Sequence, residues 1–529
     1  MRDLELPGRS PVHAKNGMAA TSHTLSTQTA IDVLKAGGNA LDAAIAACAV
    51  QCVVEPGSTG IGGDNFCLFA PEGGNKVIGY NGSGRAPAAA TLEKLRSLGL
   101  SELERTSAHS VIVPGAVDAW CRLNADHGRI PMAELLTPAI DHARNGYPVS
   151  SRVHTDWVGN AEIIRSDENC ARIFLPDGKV PAVGQLHHQK GLADALEIIG
   201  REGRDAFYKG ELAQEMVATL QAKGGLHTLD DFASAKGEYV TPVTSTFRDL
   251  TIHECPPNGQ GVIALLLMNM FERAPEGSLI SAERIHFEIE ACRRAYAARG
   301  LTLADPAQAD VPVSGLIDKA FAAELVASID PAKMVEPDNS ILMPRHKDTV
   351  YISVVDKDRN ACSFINTLFW GWGGGITTPK HGIVLTNRGQ GFVLEEGHPN
   401  CIAPGKRPLH TIIPAIVTKE GRTVMSVGVM GGEYQAMGQA QFISRYIDFG
   451  MDIQEAQDAP RWMVDPFDGE VEIEGPVPDA IVEQLRGMGH SIARSTRPVG
   501  GSQAIAIDWE TGVLTGGSDP RKDGCAMGY

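Results

Sequence analysis

At 529 residues, 43% hydrophobic and 21% charged, the chain is long enough to bury a large core and has the composition of a globular protein. Length alone admits roughly two to four domains. The formal net charge of −17 argues against non-specific binding to nucleic acid or anionic membranes, which such a surface repels, and points to a small-molecule partner.

The first residues, Met1 to Pro7, carry acids and no apolar run, so they do not read as a secretory signal. The longest apolar stretch, Ala43 to Val54, falls short of a membrane span and is interrupted by Gln51. A cytoplasmic location without a membrane anchor is the expectation. The ten cysteines include no CxxC pair, His187-His188 lack a third ligand at metal spacing, and no HExxH or GxSxG occurs. Neither a metal nor a cofactor is expected.

In chain order, Ser26 or Thr27 is positioned to cap a helix that runs through Ala30 to Ala36 and stops at Gly37-Gly38. Asn39 then opens Ala40 to Val54, apolar nearly all round and therefore an interior helix. The glycine-rich stretch Pro56 to Asp64 follows a helix and precedes a strand, Phe66 to Phe69. That is the wrong order for a phosphate loop, and close backbone packing beneath a site fits better. Val77 to Tyr80 reads as a strand, and residues 110–300 as mainly helical, with Val262 to Phe271 buried and Ala282 to Ala298 amphipathic. Asp330 to Arg345 is polar, proline-bearing and aperiodic, an exposed connector where a chain break is tolerated.

Just beyond it, Thr349 to Val355 and Ala361 to Leu368 flank Asp356 to Asn360 as a β-hairpin. Trp370 to Gly375 reads either as a lid over a pocket or as a packed turn. Two further hairpins are expected, Pro414 to Val417 with Val424 to Val427, and Ala504 to Asp508 with Val513-Leu514. Helices at Gln435 to Phe449 and Pro478 to Met488 lie between them. Helices around strands paired as hairpins imply an α+β layered fold with stacked antiparallel sheets.

A threonine freed at the head of a strand by chain cleavage is both nucleophile and base. Its α-amine, ordinarily with a pKa of about 7.7 to 8.0, is matched to accept the hydroxyl proton near neutral pH. Asp348-Thr349, with Ser353 to Asp358, Lys406 to Leu409, Gly431-Gly432 and Ala459 to Trp462 in this order, resembles the self-cleaving γ-glutamyltranspeptidase family of N-terminal-nucleophile hydrolases. The resemblance covers nearly the whole chain and implies a four-layer αββα sandwich. It implies cleavage between Asp348 and Thr349 into a large subunit, 1–348, and a small one, 349–529, that stay folded as one unit, with homo-oligomerisation left open. It places Thr367 where a second threonine bonds the nucleophile, although an ordinary strand threonine fits too. Gly431 and Gly432 match its oxyanion-hole glycines.

The departures concern the substrate. Where the family holds the substrate α-carboxylate with an arginine stands Ser83, with Arg85 two residues away. Phe369 replaces an asparagine that helps hold the glutamyl group. Arg388 and Gly391 replace the glutamine and aspartate that hold its amine, and His410 and Thr411 replace two serines. A cation at 388 disfavours an ammonium-bearing head and favours a carboxylate, although a structural salt bridge is an equal reading of Arg388. His410 reads equally as a core histidine or a substrate contact.

Asn387-Arg388-Gly389 with His410 to Pro414 resembles the acylase-like and oxamate-amidohydrolase-like branch. The expected activity is hydrolysis of a small carboxylate-bearing amide through an acyl ester on Thr349, acyl transfer being a further capacity of such an ester. The rivals are a genuine γ-glutamyltranspeptidase or glutathione hydrolase, and an unprocessed relative that only binds a ligand.

Overall fold

A computed structural model describes residues 5, 8–74, 76–335, 349–466 and 468–529. Asp348, and residues 336–345 of the expected connector, lie outside the described residues.

Two seven-stranded sheets form the centre. In the first, the order is Val12–Ala14, Leu514–Ser518, Gly501–Ile507, Arg422–Met430, Pro414–Lys419, Leu250–Glu254, Val243–Phe247. In the second it is Cys525–Gly528, Met18–Thr21, Val350–Val355, Ala361–Thr367, Asp64–Ala70, Ile78–Gly82, Glu238–Val240. Every pairing within the two sheets is antiparallel. The sheets face one another through a dry layer that includes Phe66, Leu68, Tyr351, Val355, Ile365, Ile416 and Ile505. Helix Ala40–Val54 covers the outer face of the second sheet, and helices Gly261–Phe271 and Tyr434–Ile447 cover that of the first. The result is the expected αββα sandwich.

Local chemistry explains most elements. Asn39 caps helix Ala40–Val54 in a reciprocal box with Asp42, and all 15 residues of the helix are buried, as its apolar composition requires. The preceding helix, Thr24–Lys35, starts earlier than expected. His23 caps it, with Nδ1 accepting from the Leu25 amide, while Ser26 lies inside the helix and donates to Ala47 O.

Five strands stand within the region read as mainly helical: the two-residue pair Tyr147–Pro148 and Leu186–His187, then Glu238–Val240, Val243–Phe247 and Leu250–Glu254. The last two alternate between more and less buried positions, the period-two signature of a strand with one covered face. The helix expected to be amphipathic extends over Ala282–Thr302 and is buried on most sides. Its charges are accommodated by pairing: Arg284 with Glu288 at 2.7 Å, Arg294 with Glu290 at 2.9 Å, and Arg299 with Glu433.

Trp370 to Gly375 is a packed turn rather than a lid. Trp372 is fully buried, 5.5 Å from the ring of Trp157, and a Cβ on Gly57 would sit 2.3 Å from its indole. The glycine stretch packs against backbone, as its composition suggested. A Cβ on Gly63 would lie 2.1 Å from Thr367 O, and one on Gly62 would lie 2.2 Å from Val384 O. Among the described residues, no helix is long and apolar enough to cross a membrane.

Candidate active site

Thr349 immediately precedes strand Val350–Val355 and is 1% exposed. Val350 pairs with Asn366, so Thr349 falls opposite Thr367, and their hydroxyls are 3.4 Å apart. Thr367 Oγ1 also accepts from the Phe369 amide at 2.9 Å, which fixes the hydroxyl beside that of Thr349.

From the first turn of helix Tyr434–Ile447, Gln435 Nε2 donates to Thr349 Oγ1 at 3.4 Å, and its Oε1 accepts from Ile413 N at 3.2 Å. Both contacts to the Thr349 hydroxyl are long, as polar contacts in a resting site often are. The sequence places Gln435 only at the head of a helix and does not mark it as a site residue. Its position just after the glycine pair, at the head of a helix, is the signal that could have found it.

Gly431 and Gly432 adopt φ of 116° and 59°, the left-handed region that glycine tolerates without a Cβ penalty. Both are buried, and neither amide has an acceptor among the described residues. The turn is tied to Thr349 through Gln435, whose amide N–H bonds Gly432 O and whose side chain bonds the Thr349 hydroxyl, and two buried free donors are suited to a developing oxyanion.

Arg388 is fully buried. Its guanidinium lies 3.9 Å from the centroid of the Phe369 ring, and Nη1 donates to Thr411 Oγ1 at 3.2 Å. Nε and Nη2 have no acceptor, and no carboxylate lies within ion-pair distance among the described residues. The salt-bridge reading of Arg388 therefore fails here. Burial pushes its pKa down to about 9 against the favourable fields of Asp64 and Glu433, so it stays cationic at neutral pH. Phe369 itself sits at φ 80°, rare for a bulky residue and a frequent mark of functional sites.

His410 belongs to the same cluster and is neutral. Its Nδ1 accepts from Ile412 N at 3.3 Å, so Nε2 carries the proton and donates to Asp64 Oδ2 at 3.1 Å. Burial, with Arg388 nearby, holds its pKa well below the usual value. Asp64, fully buried, is pushed up to about 6 by desolvation, and its other oxygen accepts from Gly84 N at 2.8 Å. Gln260 ties these parts together. Its Nε2 donates to Thr411 O at 2.9 Å and to Gly432 O at 3.3 Å, while Oε1 accepts from Arg299 Nη1 at 2.6 Å.

The gamma-glutamyltranspeptidase family model matches residues 26–529. The glutathione hydrolase-like YwrD proenzyme of Bacillus subtilis (strain 168) is 38% identical over 520 residues, covering 97% of this chain and 98% of that one. The oxamate amidohydrolase proenzyme of Klebsiella pneumoniae subsp. pneumoniae is 33% identical, covering 98% of this chain and all of the other. Among solved structures, a cephalosporin acylase from Bacillus halodurans superposes with a TM-score of 0.92 at 36% identity, over 100% of this chain and 99% of that one. The chain belongs to the gamma-glutamyltranspeptidase family. It is accordingly an N-terminal-nucleophile enzyme of the amide-hydrolysing kind.

Within a gamma-glutamyltranspeptidase fold, the remaining departures fall as follows. Ser83, in place of the carboxylate-binding arginine, is buried and donates to Asn81 Oδ1 at 2.7 Å. Arg85 is not part of the cluster. It is turned to Asp305 at 3.4 Å, Glu238 at 3.7 Å and Gly405 O, and no contact joins it to Thr349 or Arg388. Of the expected site residues, Thr349 touches Thr367 directly and the Gly431-Gly432 turn is one residue pair from Gln435; Phe369 and Thr411 contact Arg388, and His410 bonds Asp64, whose field reaches Arg388. Asp64, Gln260 and Gln435 are additions from the structure. Among the described residues no group of acids, histidines and cysteines is arranged to hold a metal ion.

Proposed function

We propose that this chain is a self-processed threonine amidohydrolase whose substrate carries a carboxylate on its acyl half, held by Arg388. One observation carries the reading: a buried guanidinium with two donor nitrogens unanswered. Leaving a buried charge unpaired costs several kcal/mol, and a planar carboxylate meeting those nitrogens would offset that cost while making bidentate contacts.

In this reading the bond before Thr349 is cut first, and the freed α-amine then takes the hydroxyl proton as Oγ1 attacks the substrate amide carbonyl. The Gly431 and Gly432 amides stabilise the oxyanion, the amine departs with the proton, and water hydrolyses the Thr349 ester. Phe369 closes the acyl pocket against the Arg388 face and leaves no acceptor there for an ammonium. That favours monoamides of dicarboxylic acids over glutathione. Relatives named as proenzymes, amidohydrolases and acylases support the class of reaction.

The test is intact mass followed by an amide panel, with Thr349→Ala as control. The expected result is two polypeptides of 348 and 181 residues in the wild type, one in the variant, and turnover of dicarboxylate monoamides. Comparable rates on γ-glutamyl-p-nitroanilide, with transfer to dipeptides, would instead make it a genuine transpeptidase. An uncut, inactive chain would make it a ligand-binding relative.

A further inference from the structure

Glu254 ends strand Leu250–Glu254 and is fully buried, and among the described residues neither carboxylate oxygen has a hydrogen-bond partner or a cation within ion-pair distance. A charge stranded in this way is strongly disfavoured, whereas a carboxylic acid carries no charge and gains an O–H to donate. Burial accordingly pushes its pKa well above the usual 4.5. The titratable neighbour on its own strand end, the buried Cys255 thiol, is pushed up as well.

Two helices that serve the active site meet at this side chain. Helix Gly261–Phe271 is pressed onto it, since a Cβ on Gly261 would sit 2.7 Å from Glu254 Cβ and 2.9 Å from Oε2. Gln260, immediately before that helix, is the residue that bonds Thr411 O and Gly432 O. Helix Tyr434–Ile447 faces Glu254 with Gln439. One turn apart on this helix, Gln435 and Gln439 grip Ile413 from two sides. Gln439 Nε2 donates to the Ile413 carbonyl at 2.6 Å, and Gln435 Oε1 accepts from the Ile413 amide at 3.2 Å. The bond to Ile413 fixes which end of Gln439 is nitrogen. Its Oε1 is left as a buried acceptor without a donor, beside a group that as an acid has one proton to give.

We infer that Glu254 works as a neutral carboxylic acid whose O–H donates to Gln439 Oε1, and that it is a positioning residue for Thr349 through Gln439, Ile413 and Gln435. The inference rests on the reading of Thr349 as the nucleophile and adds the group that anchors it from behind. Glu254 touches neither substrate nor the reacting atoms. It sets Gln439, the two glutamines hold Ile413 between them, and Gln435 Nε2 then reaches Thr349 Oγ1 at 3.4 Å.

Two measurements test it. The first is urea unfolding of the wild type against Glu254→Gln, a neutral side chain of the same shape, from pH 4.5 to 7.5. An acid whose folded pKa is raised contributes its full stability below the ordinary 4.5 and loses it as pH rises toward the folded value. The unfolding constant of the wild type relative to the variant should therefore rise about tenfold per pH unit above 4.5 until the folded acid ionises. A ratio that stays flat overturns the inference.

The second measurement is turnover of glutaryl-4-nitroanilide together with the rate of self-cleavage. Glu254→Leu should lower kcat about tenfold with KM within about twofold, and slow self-cleavage by a similar factor. Glu254→Gln keeps a donor and should hold both rates within about threefold of wild type. A leucine variant with wild-type kcat, or a glutamine variant as impaired as the leucine one, overturns the positioning role and leaves the amidase reading standing. Should Glu254→Leu fail to fold, Gln439→Leu cuts the chain one link on and carries the same expectation. If the wild type is cut but turns over no anilide, the amidase reading fails by itself, and self-cleavage, which uses the same hydroxyl, decides the inference.

Discussion

The guanidinium of Arg388 lies 3.9 Å over the ring of Phe369, and this stacked pair occupies positions where an amine-binding glutamine and an asparagine are expected from the family pattern. The ring covers one face of the cation and hydrogen-bonds to nothing, so the unanswered nitrogens in the guanidinium plane are the polar feature left to a ligand. Under the function proposed above, these two departures together shift recognition from an ammonium-bearing head to an anion.

Arg388→Gln should lower kcat/KM for dicarboxylate monoamides by about ten- to hundredfold, the loss expected when a hydrogen bond to a charged group is removed. Arg388→Lys should recover only part of it, because an ammonium lacks the planar fork. Steady-state kinetics on a matched pair of amides, with and without the acyl carboxylate, reads the effect. Equal losses on both substrates would show that Arg388 supports the fold rather than the substrate.

Gln435→Leu removes the donor to Thr349 Oγ1 while keeping a side chain of similar volume at the head of the helix. The expected outcome is a fall of about tenfold in kcat, with smaller change in KM, since in the proposed mechanism the contact orients Thr349 rather than the substrate. Stopped-time gels of freshly translated protein should show slower self-cleavage as well.

Gly432→Ala tests the turn. At φ 59° an alanine is strained by roughly 1–2 kcal/mol, and displacing the oxyanion donor proposed there should cost about a hundredfold or more in kcat. A thermal midpoint close to wild type together with that loss would assign the effect to chemistry and not to folding.

His410 gives a pH signature in stability. Its folded pKa is depressed below the ordinary 6.5, so the neutral ring's contribution is fully present above pH 6.5 and is lost as pH falls below it. The slope is about 1.4 kcal/mol per pH unit for one such group. The wild type should therefore lose stability relative to His410→Gln between pH 6.5 and 5.5, measured by urea unfolding at each pH. Parallel curves would mean that His410 is protonated in the native state.

Much of this arrangement is legible in the residue order. The all-round apolar character of Ala40 to Val54, with Asn39 before it, identifies a capped interior helix, and the β-branched runs around Asp356 to Asn360 identify the hairpin on which Thr349 sits. The strands from Glu238 to Glu254 are harder to read, because they are short, partly exposed and set among helices, so their period-two pattern has little length in which to show. Arg85 misleads because it is near in sequence to the position of interest. Only the fold reveals that Asp305 and Glu238 hold it elsewhere. Asp64, Gln260 and Gln435 come from three distant segments, and nothing local in the sequence announces that a carboxylate, an amide and a second amide will converge. The charged residues of Ala282–Thr302 mislead for a related reason, since pairing allows a helix to look amphipathic and yet be enclosed.

Both sheets interleave strands from before and after residue 349, with Val350–Val355 and Ala361–Thr367 lying between Met18–Thr21 and Asp64–Ala70. A scission ahead of Thr349 would thus alter which polypeptide owns each strand without changing any strand's neighbour. Neither fragment made alone could close its own ladders, and each would present raw β edges to whatever it met. The order of events follows: assembly first, incision second, with the intact precursor serving as the template on which its two products are already joined.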